Sequence, residues 1–413
     1  MRNVKYLFLV VGSMLGAQQK MTLEECEAAF RANNLQLLAQ QYNINMADAD
    51  IMQAKIWDLP QASFGANAYD PQNKQFMHVG QSKNATIQQL IYLGGKKKNE
   101  VDFAKSNKEL SQLQFNQLLA DLKSQMKETY YALYFEQKKQ KSVQTQLDYM
   151  ADLLKAYKVQ TKKGNISLKD EVRLQAVVIG LSNDKNDILN NILQQQQALK
   201  VFTGVDDPIV ADYSETEADQ LMKMQPSINL DEIKNSALEN NADYLGAVKG
   251  IDNAKSMLKW QKSLNIPDLT VGAGWNQNGG IFQNEINFSV GIPIPLWKQN
   301  NGNVKKAEYQ IQQNEKTVDM KKQGLITQID AAYQTWQNQY DLYYKIEPQD
   351  AADLETVYQG ILSNFRKGNI SLIEFTDFTD SYKETVLRIL EMKKQIMISA
   401  EEINHITQTK IFY

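Results

Sequence analysis

The chain has 413 residues, 43% of them apolar and 23% charged, and a formal net charge of -3. That apolar content is enough for a folded core, and the slightly acidic balance excludes the concentrated basic face expected of a nucleic-acid binder. One cysteine (Cys26), two histidines far apart in sequence (His78 and His405) and methionines scattered at core-like spacing exclude a disulfide framework and give no metal-ligand or cofactor motif.

Residues 1–17 have a basic start (Arg2, Lys5), an apolar run from Tyr6 to Leu15 and a small residue at Ala17. This is the pattern of an export signal cleaved near Ala17, and the run is too short to span a bilayer, which takes roughly 20 residues. Cys26 lies inside the first helical pattern and not at the cleavage point, so it reads as a buried thiol and the mature N-terminus as unlipidated. No later apolar stretch is long enough for a transmembrane helix.

After an opening helix, Ala62, Phe64, Ala66 and Ala68 alternate with polar residues, then Ala85 and Ile87 do so beyond an Asp70-Pro71 turn, which predicts a strand pair. Lys96, Lys97 and Lys98 follow as a solvated flank. No proline occurs between Pro71 and Pro208, and apolar spacing through Leu110, Leu113, Leu118, Leu122, Met126, Leu133, Leu147, Leu154 and Val159 predicts one helix over 97–161. At 1.5 Å per residue it is about 95 Å long, far beyond the helices of compact domains, so it must pack side by side with others. A return helix is expected over 168–201. The acidic stretch Asp206 to Ser227, with Pro208 and Pro226, reads as a linker.

The elements then recur. Lys163-Gly164-Asn165-Ile166-Ser167-Leu168 reappears intact as Lys367-Gly368-Asn369-Ile370-Ser371-Leu372, an offset of 204. Thr22-Leu23-Glu24-Glu25 matches Asn229-Leu230-Asp231-Glu232, Asn33-Asn34 matches Asn240-Asn241, Pro60 matches Pro267 and Gly95 matches Gly302, all at an offset of 207. A period this long indicates a duplicated domain, with repeats at 18–205 and 228–413 joined by 206–227. In the second repeat Leu269, Val271, Ala273 and Trp275 alternate with small polar residues. Beyond the Asn278-Gly279-Gly280 turn Ile286, Phe288, Val290 and Ile292 do the same. Helices are expected over 305–366, kinked at Pro348, and over 372–409.

Two hairpins with a greasy face find no core among their polar neighbours, but that face can meet lipid, where strands are about 9 to 11 residues long. Open sheet edges do not survive in hydrocarbon. Because single-chain barrels start at about eight strands, a chain with two strand pairs must be completed by other copies. The helix, strand-pair, long-helix, return-helix order of both halves resembles the TolC-like outer-membrane efflux family. So do Gly291-Ile292-Pro293-Ile294-Pro295-Leu296-Trp297 with Asn301-Gly302 and Ala307, which look like the strand-to-helix junction of its heavy-metal branch, and Leu93-Gly94-Gly95-Lys96, the first-half counterpart.

The resemblance implies an α-helical plus membrane β-barrel fold: long α-helical hairpins forming a periplasmic tube, and four strands per protomer in a twelve-stranded barrel shared by a homotrimer. It implies an outer-membrane exit duct of a tripartite efflux or type I secretion system, passing ions or small molecules. The partners would be a periplasmic adaptor, an inner-membrane pump of RND or ABC type, and outer-membrane lipid. No enzymatic activity is expected. A periplasmic coiled-coil scaffold or tether is the alternative. Tyr92, Trp275 and Trp297, near strand ends, are candidates for interfacial belts or ordinary packing.

The repeated block also has a local reading. Gly164 and Gly368 can take the left-handed conformation that ends a helix, and Ser167 to Asp170 and Ser371 to Glu374 fit a capping box. In the resembled family these turns, with Asn165 and Asn369, form the periplasmic tips where the adaptor docks. Glu374 and Asp377, one turn apart, match an acidic pair that lines the periplasmic constriction; Asp170 and Arg173 are their first-half equivalents. Stacked carboxylate rings would favour cations, whereas helix capping alone would also account for Glu374. Some members carry a basic residue where this chain has Ile370, so a latch onto Asp170 lacks its cation.

Overall fold

The computed structural model describes residues 19–76, 82–226, 228–278, 282–296, 300–345 and 348–412. The expected export signal, His78, Trp297, Ser227 and the Gly279-Gly280 part of the second turn lie outside the described residues. The chain divides into two compact units: one gathers residues up to 38, 118–241 and from 325 onward, and the other gathers 39–117 and 242–324.

The first repeat opens with β1 (Gln19–Met21), α1 (Leu23–Asn33) and α2 (Leu35–Ala54). Strand β2 (Gln61–Ala66), a small hairpin of β3 (Tyr69–Asp70) and β4 (Gln75–Phe76), and β5 (Ser82–Ile91) follow. Helix α3 (Lys96–Lys162) runs unbroken for 67 residues and α4 (Leu168–Thr203) returns. The stretch expected to be a linker is folded: β6 (Ile209–Ala211) pairs in parallel with β1, and α5 (Glu215–Lys223) packs on the unit through Ala218 and Met222. The second repeat contains α6 (Leu230–Asn240), α7 (Ala242–Ser263), β7 (Leu269–Asn278) and β8 (Phe282–Gly291). It ends with α8 (Asn301–Tyr344), α9 (Pro348–Arg366) and α10 (Leu372–Thr407). At the expected kink α8 ends at Tyr344 and Pro348 opens a separate helix, α9, at the first helical position, where its missing N–H costs nothing.

Each opening helix is likewise two helices. Asn34 and Asn241 take extended backbone between α1 and α2 and between α6 and α7. Their side chains explain why. Asn34 Nδ2 donates to Phe202 O (3.1 Å) and Asn241 Nδ2 to Ile406 O (3.0 Å), so each clamps a carbonyl in the last turn of its own repeat's return helix. Thr22 and Asn229 start α1 and α6 with complete capping boxes to Glu25 and Glu232.

The core of the first unit is aromatic. Tyr130 and Tyr131 are fully buried and meet Tyr213 edge-on, and Tyr130 Oη donates to Met21 O (2.9 Å) and Asp212 O (3.1 Å), fastening β1 and the chain beyond β6 to α3. Of the apolar positions anticipated along α3, Leu122, Met126, Leu133 and Leu154 are buried, whereas Val159 is half exposed. Cys26 is fully buried, and burial pushes its thiol up to about 12, so it is inert. The chain's end is pinned by Asn404, whose Oδ1 accepts from Ile411 N and Phe412 N (2.8 and 3.0 Å).

Charged groups also knit α1, α3 and α10. Lys127 lies 3.1 Å from Glu401 and 3.6 Å from Glu27. His405 Nδ1 stands 3.5 Å from Glu402 and Nε2 2.8 Å from Asp121. Glu402, and then Asp121, raise the imidazolium to about 9 against the opposing effect of burial. A raised pKa means that its stabilisation is complete below the ordinary histidine value and is lost as pH rises through about 9. The thermal midpoint is therefore expected to fall between pH 7 and pH 10, and His405→Gln is expected to flatten most of that decline; an identical decline in the variant would remove His405 as its source.

Candidate functional site

Both helix-to-helix turns use the same chemistry. Gly164 and Gly368 have φ of 77° and 76°, in the left-handed region that side chains with a Cβ avoid. In the first turn Gly164 N donates to Thr161 O (2.9 Å) and Asn165 N to Gln160 O (3.0 Å). In the second, Gly368 N donates to Phe365 O and Asn369 N to Asn364 O, each 2.9 Å. These pairs are Schellman closures, which satisfy the last carbonyls of a helix. Asn165 and Asn369 add side-chain bonds back to Gln160 (2.7 Å) and Asn364 (3.1 Å). Ser167 and Ser371 then start the next helix by accepting from Asp170 N and Glu374 N at 3.2 Å. The expected capping boxes are half formed: the serine cap is present, but the Asp170 carboxylate takes the Ser167 hydroxyl (2.7 Å) rather than reaching the cap's N–H.

The acidic pair divides by partner. Glu374 is exposed at the start of α10. Asp377 is exposed too, but its Oδ1 receives Arg173 Nη2 at 2.9 Å, and Arg173 Nε donates to Thr376 Oγ1 at 3.2 Å. By sequence Arg173 is only the positional equivalent of Asp377; the structure makes it the partner. The mismatch of signs at equivalent positions was the available signal. Around the turns Leu168, Val172 and Ile373 stay exposed. The Phe365 and Phe375 rings stack at 4.3 Å behind them.

The second unit carries a four-stranded antiparallel sheet in the order β2-β5-β7-β8. Its register puts Phe64 opposite Ala85, Ile87 opposite Ala273, and Ala273 opposite Phe288, so the alternating apolar positions share one face, with Leu90 at the junction end on the other. The other face carries residues such as Ser63, Thr86, Gly272, Asn276 and Ser289. Gly272 keeps that face low: a Cβ there would stand 2.7 Å from Ser289 Oγ and 3.1 Å from Ile87 O, so the neighbouring side chain would have to move. The apolar face is bare, with Phe64 and Phe288 each 85% exposed and Ile286 and Val290 each 69%. The first pair differs in extent from expectation: Ala68 falls outside β2, β5 is 10 residues long, and the Asp70-Pro71 turn belongs to the separate β3–β4 hairpin.

All four helix–strand junctions lie at one end of this sheet, where Ile91 pairs with Leu269 and Thr270 with Gly291. Tyr92 packs there on Trp57 (centroids 5.7 Å apart), an aromatic not singled out from sequence. Trp275 lies within β7 on the apolar face. Lys96, anticipated as a solvated flank, is buried against Asp268 at 2.6 Å; Lys97 pairs with Glu100 at 2.9 Å, and Lys98 is exposed. No helix among the described residues is long and apolar enough to cross a membrane, and none of their His, Cys, Asp or Glu side chains form a metal-holding group of three or more.

The model of the family described as outer membrane efflux protein matches residues 28–205 and 233–407. The cobalt-zinc-cadmium resistance protein CzcC of Cupriavidus metallidurans is 23% identical over 299 residues, which cover 72% of this chain and 68% of CzcC. Among solved structures, CusC superposes with a TM-score of 0.73 at 15% identity, covering 93% of this chain and 91% of CusC. The Campylobacter jejuni CmeC outer membrane channel superposes with a TM-score of 0.74 at 12% identity, covering 98% and 93%.

Gly164→Ala and Gly368→Ala would each place a Cβ in open space but in the wrong backbone region. Each is expected to cost about 1–2 kcal/mol, and Ser371→Ala about 1 kcal/mol, read as lower thermal midpoints of the purified protein. No loss in either glycine variant would mean that the turns can close another way.

Proposed function

Because the chain belongs to the outer membrane efflux protein family, we propose that it is the exit duct of a tripartite efflux system, built as a homotrimer in the outer membrane and fed by a periplasmic adaptor and an inner-membrane pump. The family is one of efflux channels and not of enzymes, and its fold, long helical hairpins with a membrane sheet, is the fold of this chain.

The observation that carries the reading is the sheet. Strands β2 and β8 are its edges, and an unpaired backbone group in hydrocarbon costs several kcal/mol. Each step from β2 to β8 is antiparallel, so β8 of one copy laid against β2 of the next continues the same pattern. Two copies would give eight strands, an interior that side chains fill. Three copies of this four-stranded sheet give twelve and leave a lumen, with the apolar face on lipid and the small polar face inside. Exposed Leu38, Tyr42, Met46 and Met52 along α2 supply further surface for neighbouring copies.

In this reading the Gly-Asn-Ile-Ser turns are the periplasmic tips, and exposed Leu168, Val172 and Ile373 give the adaptor an apolar footing. Asp170, Glu374 and Asp377 line the constriction. Because Asp377 is held by Arg173, Asp170 and Glu374 carry most of the cation preference. The two repeats, 18–205 and 228–413, are read as one duplicated unit, and residues 1–17 as a removed export signal that leaves an unlipidated start. Kinship with a cobalt-zinc-cadmium resistance protein makes divalent metal ions the first cargo to test.

Purification supplies the first test: a heat-sensitive trimer that needs detergent and conducts in planar bilayers is expected, and a monodisperse soluble oligomer without conductance would instead favour a periplasmic tether. Phe288→Lys, which places a charge on the lipid face, is expected to abolish outer-membrane assembly at a cost of about 2–4 kcal/mol, while Ser289→Lys on the lumen face is tolerated; equal tolerance would reverse the assignment of faces. At the tips, Glu374→Gln is expected to lower cation preference more than Asp377→Asn, and Arg173→Ala to raise it. The opposite order would reject the division of roles.

A further inference from the structure

The four-stranded sheet carries only two charged residues along its described strands, and they lie on opposite faces. Lys83 is on the apolar face, opposite Ala66 and Gln277, with its ammonium over the Trp275 ring at 5.6 Å. Glu285 is opposite Asn276, alternates with apolar Ile286, and so shares the polar face with Asn287 and Ser289. Its place is near the end of the sheet away from the helix junctions, beside a register shift between Asn276 and Asn278, and the side chain is exposed. We propose that Glu285 is a specificity-determining residue: in the closed trimer three copies form an anionic collar at the outer mouth that favours departing cations over anions. This rests on the duct reading above, since one protomer supplies a third of the collar.

Among the described strand residues no cation shares the polar face with this carboxylate. Neighbours on the polar face are amides, hydroxyls and glycines. The separate β3–β4 hairpin, between β2 and β5 in the chain, holds one acid and one base, Asp70 and Lys74, and Asp70 is committed to Gln72 N, Asn73 N and Asn73 Nδ2 at 2.7–3.3 Å. Lys83 points to the lipid side and does not share the lumen. Scale sets how far the collar acts. Twelve strands about 4.8 Å apart and tilted about 40° form a ring about 24 Å across, which places inward carboxylates about 8 Å from the axis. The screening length is about 10 Å at 0.1 M salt and about 3 Å at 1 M, so the collar reaches the centre of the lumen only in dilute salt.

Reversal potentials of the full chain in planar bilayers under a potassium chloride gradient test this. Glu285→Gln is expected to lower the potassium-to-chloride permeability ratio about twofold near 0.1 M salt and Glu285→Lys about fourfold or more, with both changes collapsing towards unity near 1 M. Glu285→Gln preserves shape, so it decides the matter if Glu285→Lys fails to assemble. Conducting trimers whose ratio near 0.1 M is unchanged by Glu285→Gln overturn the collar while leaving the duct intact. A wild-type chain that forms no conducting trimer overturns the duct reading, and the collar with it.

Discussion

An unfinished sheet governs what this molecule can be. Four strands with two unpaired edges, an exposed greasy face and a small-residue face cannot be stable in water as they stand. The sheet has neither a helix over its apolar face nor a strand beyond its edges among the described residues. Lipid outside and identical copies beside it resolve both problems at once, and the alternation that fits the sheet to lipid also lines the lumen with amides and hydroxyls. In the duct we propose, membrane insertion, oligomerisation and a polar passage thus come from one period-two pattern.

The helical part meets a different requirement. Helices this long leave few places to turn, so each turn must be sharp and fully hydrogen-bonded. The Lys-Gly-Asn-Ile-Ser-Leu block provides this in six residues: glycine reverses the backbone, asparagine returns to the previous helix, and serine caps the next. At the other end of each return helix, Asn34 and Asn241 hold the last-turn carbonyls of Phe202 and Ile406. The two clamps stand 207 residues apart and their acceptors 204, the same offsets that separate the repeated sequence blocks. The hydrogen bonds thus recur at the same spacing as the letters.

Features governed by local periodicity or by glycine, proline and capping chemistry were legible in the sequence. The 67-residue helix was anticipated within a residue at each end, and the strand faces of β7 and β8 followed from alternation alone. What stayed hidden depended on partners distant in the chain. Lys96 looks like one of three surface lysines until Asp268 is brought beside it. Asn34 looks like an ordinary helical polar residue until the Phe202 carbonyl arrives. The acidic stretch around Ile209 looks like a linker because its pairing strand, β1, lies near the start of the chain. Arg173 was visible, but its role was not, since a contact between equivalent positions of two repeats leaves no local pattern.

That last contact shows how a duplicated tip can acquire selectivity without changing its fold. Asp170 and Glu374, equivalent positions, are both acids, so in the trimer we propose they form a level with six carboxylates around the passage. The next level holds Arg173 and Asp377, which have diverged to opposite signs and bind one another at 2.9 Å. Six like charges there would repel across the constriction, whereas alternating charges cancel and also tie α4 to α10 within each protomer. In the duct we propose, one level of the repeat is thereby kept for attracting cations and the adjacent level for holding the helices together, a division that needs only one of two equivalent side chains to change sign.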